Sequence, residues 1–229
     1  MKYIQKGVEP NSLKNYRSTP NATFDSCNKK DIRKALIREQ GAICAYCMQR
    51  ISFERNVELN KYFTEIEHYK SQDVYNGTNG NPDLRMSYNN MLGVCNGNSG
   101  QPLKKLHCDK SKDSNKNKQY LPLTIDPLKK NCEELVKFRG NGRIISNNNS
   151  VDNEINVVLN LNEQSLMKNR QIAINFAIKN IKSKRRNQDW RISDIQSELK
   201  VWQQLHKNGF HPYCQAVIYY LRDKIRKKS

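Results

Sequence analysis

Cys44-Ala45-Tyr46-Cys47 sets two thiols on one tight turn, and Cys95 and Cys108 follow at long intervals. In C-x2-C geometry two thiolates reach one tetrahedral zinc ion while backbone amides point at the sulfurs. A redox pair of the thioredoxin type needs a strand before it and a helix after. Here Ile32, Leu36 and Ile37 recur at helical spacing from Lys30 and Gly41 stands as a left-handed stop, so a helix leads into Cys44. Zinc is the better reading if a second pair exists. Cys95 and Cys108 supply one across 12 residues, because Asn96-Gly97-Asn98-Ser99-Gly100 is flexible enough to fold back. His107 competes for the fourth place, since imidazole also binds zinc, and a set of four thiolates is favoured. Cys27, Cys132 and Cys214 have no partner spacing and read as free thiols.

The rest of the chain divides around this framework. Residues 1–28, with Pro10 and Pro20 and no sustained period, read as an extended arm. Residues 29–130 hold the cysteines among short apolar pieces broken by Asn, Gly and Pro, which suits a hairpin, long loops and one short helix. Residues 131–229 begin with a hairpin turning at Gly140-Asn141-Gly142, followed by a loop at Asn147-Asn148-Asn149. Helices are predicted beyond it. Leu166, Ile172, Ala173, Phe176, Ala177 and Ile181 form one apolar stripe, and Ser193 with Gln196 resembles a capping box. Ile195, Leu199, Trp202 and Leu205 form a second stripe that stops at Asn208-Gly209, and Pro212 opens a last helix through Val217, Tyr220, Leu221 and Ile225. These stripes are expected to be core.

Charge limits the partner. With 40 Lys+Arg against 22 Asp+Glu the chain carries a formal +18, an excess that points to a polyanion, most often nucleic acid. Lys104, Lys105, Lys110, Lys112, Lys116 and Lys118 crowd the segment around Cys108, and Lys182, Lys184, Arg185 and Arg186 form a second cluster. Both are expected to bind phosphate without sequence preference. No aromatic ladder for single-strand stacking stands out in the sequence. No apolar run approaches the roughly 20 residues of a membrane span, so a soluble, cytoplasmic protein is expected.

Between the two cysteine pairs lies Thr64-Glu65-Ile66-Glu67-His68-Tyr69, a strand-like alternation that ends with a carboxylate beside an imidazole. Asn90 stands five residues before Cys95, and Cys108-Asp109-Lys110-Ser111-Lys112 closes the segment. The order C-x2-C, Glu-His, Asn-x-Leu-x-x-Cys, Cys-Asp-x-x-Lys resembles the zinc-bearing HNH endonucleases. Lys6-Gly7-Val8-Glu9-Pro10, the Gly41–Cys47 segment, Tyr88-Asn89-Asn90-Met91-Leu92, His107-Cys108-Asp109 and Leu159-Asn160-Leu161-Asn162 look more specifically like the HNH nuclease subunit of Septu-type and retron-associated anti-phage systems.

The resemblance implies an α+β fold, a small zinc-stapled ββα-metal core with helical N- and C-terminal additions. It implies His68 as the general base that activates water and Glu67 as a ligand of a catalytic Mg²⁺ or Mn²⁺. Asp109 becomes the second ligand, standing where the family has His or Asn, Asn90 the brace of the loop that orients the base, and Lys112 a phosphate contact. Implied partners are nucleic acid, an ABC/SMC-like ATPase that gates the nuclease, and a retron reverse transcriptase with its msDNA. DNA is the favoured substrate, with structured RNA such as tRNA the other class. The competing reading is a zinc-organised nucleic-acid-binding subunit that scaffolds an ATPase and cuts nothing.

Overall fold

Glu67 and His68 end a strand that has one partner. In the computed structural model, which describes residues 1–56, 61–78, 80, 82–114, 122–185 and 189–228 and gives backbone alone at 56, 61, 184 and 185, β3 (Thr64–His68) pairs antiparallel with β4 (Met91–Cys95). The register sets Glu67 opposite Leu92 and His68 opposite Met91. All five β4 residues are buried, as an apolar run covered on both faces should be. On the free side of β4 the Gln40 side-chain amide pairs with Gly93 in both directions, at 2.7 Å each way.

Before this ribbon come α1 (Asn11–Arg17), α2 (Lys30–Glu39) and a small hairpin of β1 (Arg55–Asn56) with β2 (Lys61–Tyr62). After it come α3 (Asp109–Lys112), the hairpin of β5 (Lys137–Phe138) with β6 (Ile144–Ile145), α4 (Asn149–Asn153), α5 (Gln164–Arg185), α6 (Ile192–Gln203) and α7 (Cys214–Arg226). The chain is α+β, and no described helix is long and apolar enough to cross a membrane. α2 ends as expected, at Gly41 with φ +59°, where an added Cβ would meet the Phe210 ring at 2.3 Å.

Two apolar clusters meet across β4. The smaller joins Leu13, Ile32, Ala35 and Leu36 to Met91, while the larger runs from Met1 and Ile4 through Ile43, Leu92 and Val94 to the helices α5 to α7.

Several expectations need correction. The N-terminal arm is not extended throughout, since Pro10 precedes a seven-residue helix that buries Leu13, and the Ile4 N–H bonds the Pro127 carbonyl at 2.8 Å. A helix so short shows no period in the sequence. The Asn147–Asn149 run is a helix start, with Asn148 Oδ1 accepting from the Val151 N–H at 3.1 Å. The capping interaction of α6 lies two residues earlier than Ser193, where the Asp194 carboxylate accepts from the Arg191 N–H at 3.2 Å.

The apolar stripe on α5 is rotated. Leu166, Arg170, Ile174, Ala177 and Ile181 face inward, whereas Ile172 and Phe176 are each 54% exposed. Arg170 lies on this inward face and donates to backbone carbonyls, described below. Leu205 lies past the end of α6 and is also exposed.

Candidate functional site

Two clusters of ligand-type side chains meet at the start of α3. In the first, the Sγ atoms of Cys44 and Cys108 lie 3.9 Å apart, those of Cys47 and Cys95 3.7 Å, and those of Cys95 and Cys108 3.8 Å. Four sulfurs at about 2.3 Å from one zinc ion are separated by about 3.8 Å, so the set fits that ion without rearrangement. All four cysteines are buried. The Cys44 knuckle closes with the Met48 N–H on the Cys44 carbonyl at 3.0 Å and Met48 at φ +65°.

The long Cys95–Cys108 connection folds back as the glycines allow. Gly97, at φ +57°, accepts the His107 N–H at 3.1 Å, and a Cβ there would strike the His107 carbonyl. Burial raises the Cys44 thiol, but hydrogen bonds from Cys108, Cys47 and Cys95 outweigh it and hold Cys44 well below the ordinary thiol range. Burial and the neighbouring sulfurs push Cys108 up.

His107 is not one of the mutually close group. Its Nδ1 stands 3.2 Å from Cys108 Sγ, as an N–H donor to that sulfur would, and burial lowers its pKa. Arg170, entirely buried, is placed electrostatically beside Cys47 and Cys108. Its Nε donates to the Gly142 carbonyl at 2.5 Å and Nη2 to the Leu161 carbonyl at 2.6 Å, but Nη1 has no partner and no carboxylate pairs with it among the described residues.

The second cluster follows within one residue. Cys108 has φ +54°, and this turn delivers Asp109 to the first position of α3, facing the end of β3. Oxygens of Glu67, Asp109 and Asp113 come within 4.8 Å of one another. Asp113 was not among the residues expected. Its position four after Asp109, on one helix face, is the signal that points to it. Asp109 Oδ1 is buried with no hydrogen-bond partner, which fits an oxygen that could hold a cation. Glu67 Oε1 accepts from the Tyr46 hydroxyl at 2.9 Å and from Lys112 Nζ, so Oε2 is the oxygen left for a ligand. Burial, then the adjacent Asp109 carboxylate, pushes the Glu67 carboxyl well above its usual range. Tyr46, inside the cysteine knuckle, therefore links the two clusters, a role that nothing in its C-x2-C context announced.

His68 lines the same cleft of about 410 Å³. Its Nε2 lies 2.8 Å from the Arg85 carbonyl. A carbonyl only accepts, so Nε2 carries the proton and Nδ1 keeps a lone pair. Burial lowers the His68 pKa, favouring that neutral form. The Phe24 ring stands edge-on to the imidazole at 4.4 Å. Asn90 clamps the segment that follows His68, its Nδ2 donating to the Lys70 carbonyl at 2.9 Å and its Oδ1 accepting from the Lys70 N–H at 2.8 Å.

The lysines expected on phosphate divide differently. Lys112 is 1% exposed, and its ammonium meets Glu67 and the His68 carbonyl. Lys110 pairs with Glu65 and with Asp109. Lys104 and Lys105 lie exposed on a single 3-10 turn. Arg186, Lys116 and Lys118, and the side chains of Lys184 and Arg185, lie outside the described residues. The cleft itself is acidic, with Glu65, Glu67, Asp73, Asp109 and Asp113 against Lys110 and Lys112, in a chain of +18. A polyanion approaches such a cleft only once a cation has neutralised it. Searches against family models and against curated proteins find no match for this chain.

Proposed function

We propose that the chain is a metal-dependent HNH-type endonuclease, with β3, β4 and α3 as its ββα-metal unit. One observation carries the reading: an imidazole oriented by a backbone carbonyl and three clustered carboxylates share one acidic cleft, and one of those carboxylates has an orphaned buried oxygen. Glu67, Asp109 and Asp113 are all hard oxygen donors and suit Mg²⁺ or Mn²⁺. Such an ion supplies Lewis-acid stabilisation of the phosphate oxygens as charge builds on them.

The chain's own residues divide the remaining work. His68 takes a proton from the attacking water at Nδ1, while the Arg85 carbonyl holds Nε2–H and so fixes the ring and tautomer. Asn90 holds the loop beyond His68 in place. Tyr46 and Lys112 fix the Glu67 carboxylate through Oε1. The four-cysteine cluster acts structurally, as a zinc staple that sets the start of α3.

The resemblance in sequence extends the proposal to the setting: an effector nuclease of anti-phage defence, gated by an ABC/SMC-like ATPase. The test is cleavage of plasmid DNA and of structured RNA by purified protein, alone and with its ATPase, with Mg²⁺ or Mn²⁺ and with chelator. Metal-dependent cutting that His68→Ala abolishes is expected. Undiminished cutting by that variant would overturn the mechanism.

A further inference from the structure

Because Lys110 and Lys112 are consumed inside the cleft, the charge that brings nucleic acid to it must sit elsewhere. Lys6, Arg17, Arg85, Lys110 and Lys112 each pair with a carboxylate. Lys70, two residues after His68, pairs with no carboxylate among the described residues and stands over the Tyr75 ring at 5.0 Å. Lys29, Lys30, Arg33 and Lys34 pair with none among the described residues. They occupy the start of α2, as the pairs Lys29/Arg33 and Lys30/Lys34 four residues apart on one side.

This arrangement opposes two ordinary preferences of a helix. Like charges four apart repel, and cations at an N-terminus face the positive end of the helix dipole. The only acidic residue in the first turn, Asp31, accepts a hydrogen bond from Ser12. An unfavourable field of this kind is relieved by a bound polyanion.

The surroundings fit a nucleic-acid strand. Lys29 Nζ lies 4.7 Å from the Phe24 ring centre, and Phe24 contacts His68. One turn along, the Arg33 guanidinium lies 4.3 Å from the Tyr62 ring, and Lys34 lies 5.2 Å from Phe53, whose ring is 5.4 Å from that of Tyr62. Arg33 Nε also donates to the Thr64 carbonyl at 3.1 Å, which ties the helix to the first residue of β3. Rings and cations from three separate segments thus form one row that begins at the imidazole. Positive grooves with interleaved aromatic rings are how proteins follow a strand without reading its sequence.

We propose that the first half of α2, with Phe24, Phe53 and Tyr62 beside it, is the surface that holds the nucleic-acid strand whose scissile phosphate lies at His68. This rests on the nuclease reading of the cleft.

The test measures binding of a fluorescein-labelled 20-nucleotide single-stranded DNA, its duplex and the matching RNA as a function of salt, with Ca²⁺ filling the cleft in place of Mg²⁺. Metal-dependent cleavage of the same probes is measured in parallel. Lys30→Gln/Lys34→Gln removes two exposed charges, and Lys168→Gln/Lys179→Gln on α5 is the charge-matched control. The α2 variant is expected to lower the slope of log K against log salt by about 1.4 for a single strand, about 0.7 per lost phosphate contact. It should also raise KM with kcat little changed, while the control keeps the wild-type slope. Equal slopes for the α2 variant and wild type, or an equal loss in the control, would overturn the proposal, as would wild-type protein that binds none of the probes. Wild-type protein that binds through α2 but cuts nothing with Mg²⁺ or Mn²⁺ would uphold the surface and overturn the nuclease reading.

Discussion

Cys108 and Asp109 are neighbours in the chain that serve two different clusters: the sulfur of one completes the four-cysteine group, and the carboxylate of the next enters the acidic cleft. The Cys108 N–H is also tied to the Leu159 carbonyl at 2.8 Å, so the turn between the clusters is held from behind. A zinc ion held by the four cysteines would therefore help set the geometry of the cleft.

Cys108→Ser is expected to lower bound zinc from about one ion per chain and, with it, to abolish Mn²⁺ binding by the cleft. Asp109→Asn should keep the zinc and lose only the Mn²⁺. Elemental analysis and Mn²⁺ titration of the two variants separate these outcomes. Retention of Mn²⁺ binding by zinc-free Cys108→Ser protein would contradict the coupling.

Glu67 and Lys112 form a buried pair whose members are costly alone. Lys112→Met leaves the carboxylate without its cation and should destabilise the fold by about 3–5 kcal/mol, whereas Glu67→Gln/Lys112→Met should recover most of that loss. Urea unfolding of the single and double variants gives the coupling directly. A double variant no more stable than Lys112→Met would show that packing of the lysine stem, not charge, holds the pair together.

As the proposed base, His68 should set the acid side of the activity profile. A base works unprotonated, and burial lowers the His68 pKa, so activity should persist as pH falls through the ordinary histidine value of about 6.5 and decline only below it. Loss of the base should cost about 10²- to 10⁴-fold in rate. A kcat/KM profile whose acid limb lies above pH 6.5 would point to a different titrating group.

Arg170 is a buried cation that no carboxylate pairs with among the described residues, its pKa pushed down to about 10 by burial. Its charge is expected to offset the negative charge of a zinc-bound tetrathiolate. Arg170→Met should weaken zinc binding by about 10- to 100-fold, as loss of an outer contact to a metal site does. The metal-free protein should also lose about 1–3 kcal/mol of stability, because the Gly142 and Leu161 carbonyls are left unpaired. Chelator competition and unfolding in chelator measure the two effects, and unchanged zinc affinity would sink the idea.

The parts of the molecule legible in the sequence are those whose signal is local. The C-x2-C knuckle, the α2 stop at Gly41, the hairpin around Gly140 and the last helix all follow from spacing and turn residues. Order along the chain brought Cys95, Cys108, Glu67, His68 and Asp109 to notice before their geometry was visible. What escaped depends on distant segments meeting. Tyr46 reaches Glu67 across 21 residues, and Lys112 turns inward because Glu67 is there to receive it. Ile172 and Phe176 fit an apolar stripe, yet the inward face carries Leu166, Arg170, Ile174, Ala177 and Ile181, where distant carbonyls of Gly142 and Leu161 receive the arginine. Likewise Phe53 and Tyr62 look scattered until Arg33 and Lys34 are placed beside them.

The Gln40 amide on Gly93 has a consequence for assembly. A two-stranded ribbon presents open rims, and an exposed rim invites another strand, whether from a partner or from a second copy in a concentrated solution. At Gly93 that invitation is withdrawn: the N–H meets Gln40 Oε1, and the carbonyl already receives both Gln40 Nε2 and the Ala45 N–H. The ribbon that carries Glu67 and His68 is thus closed to strand addition at Gly93.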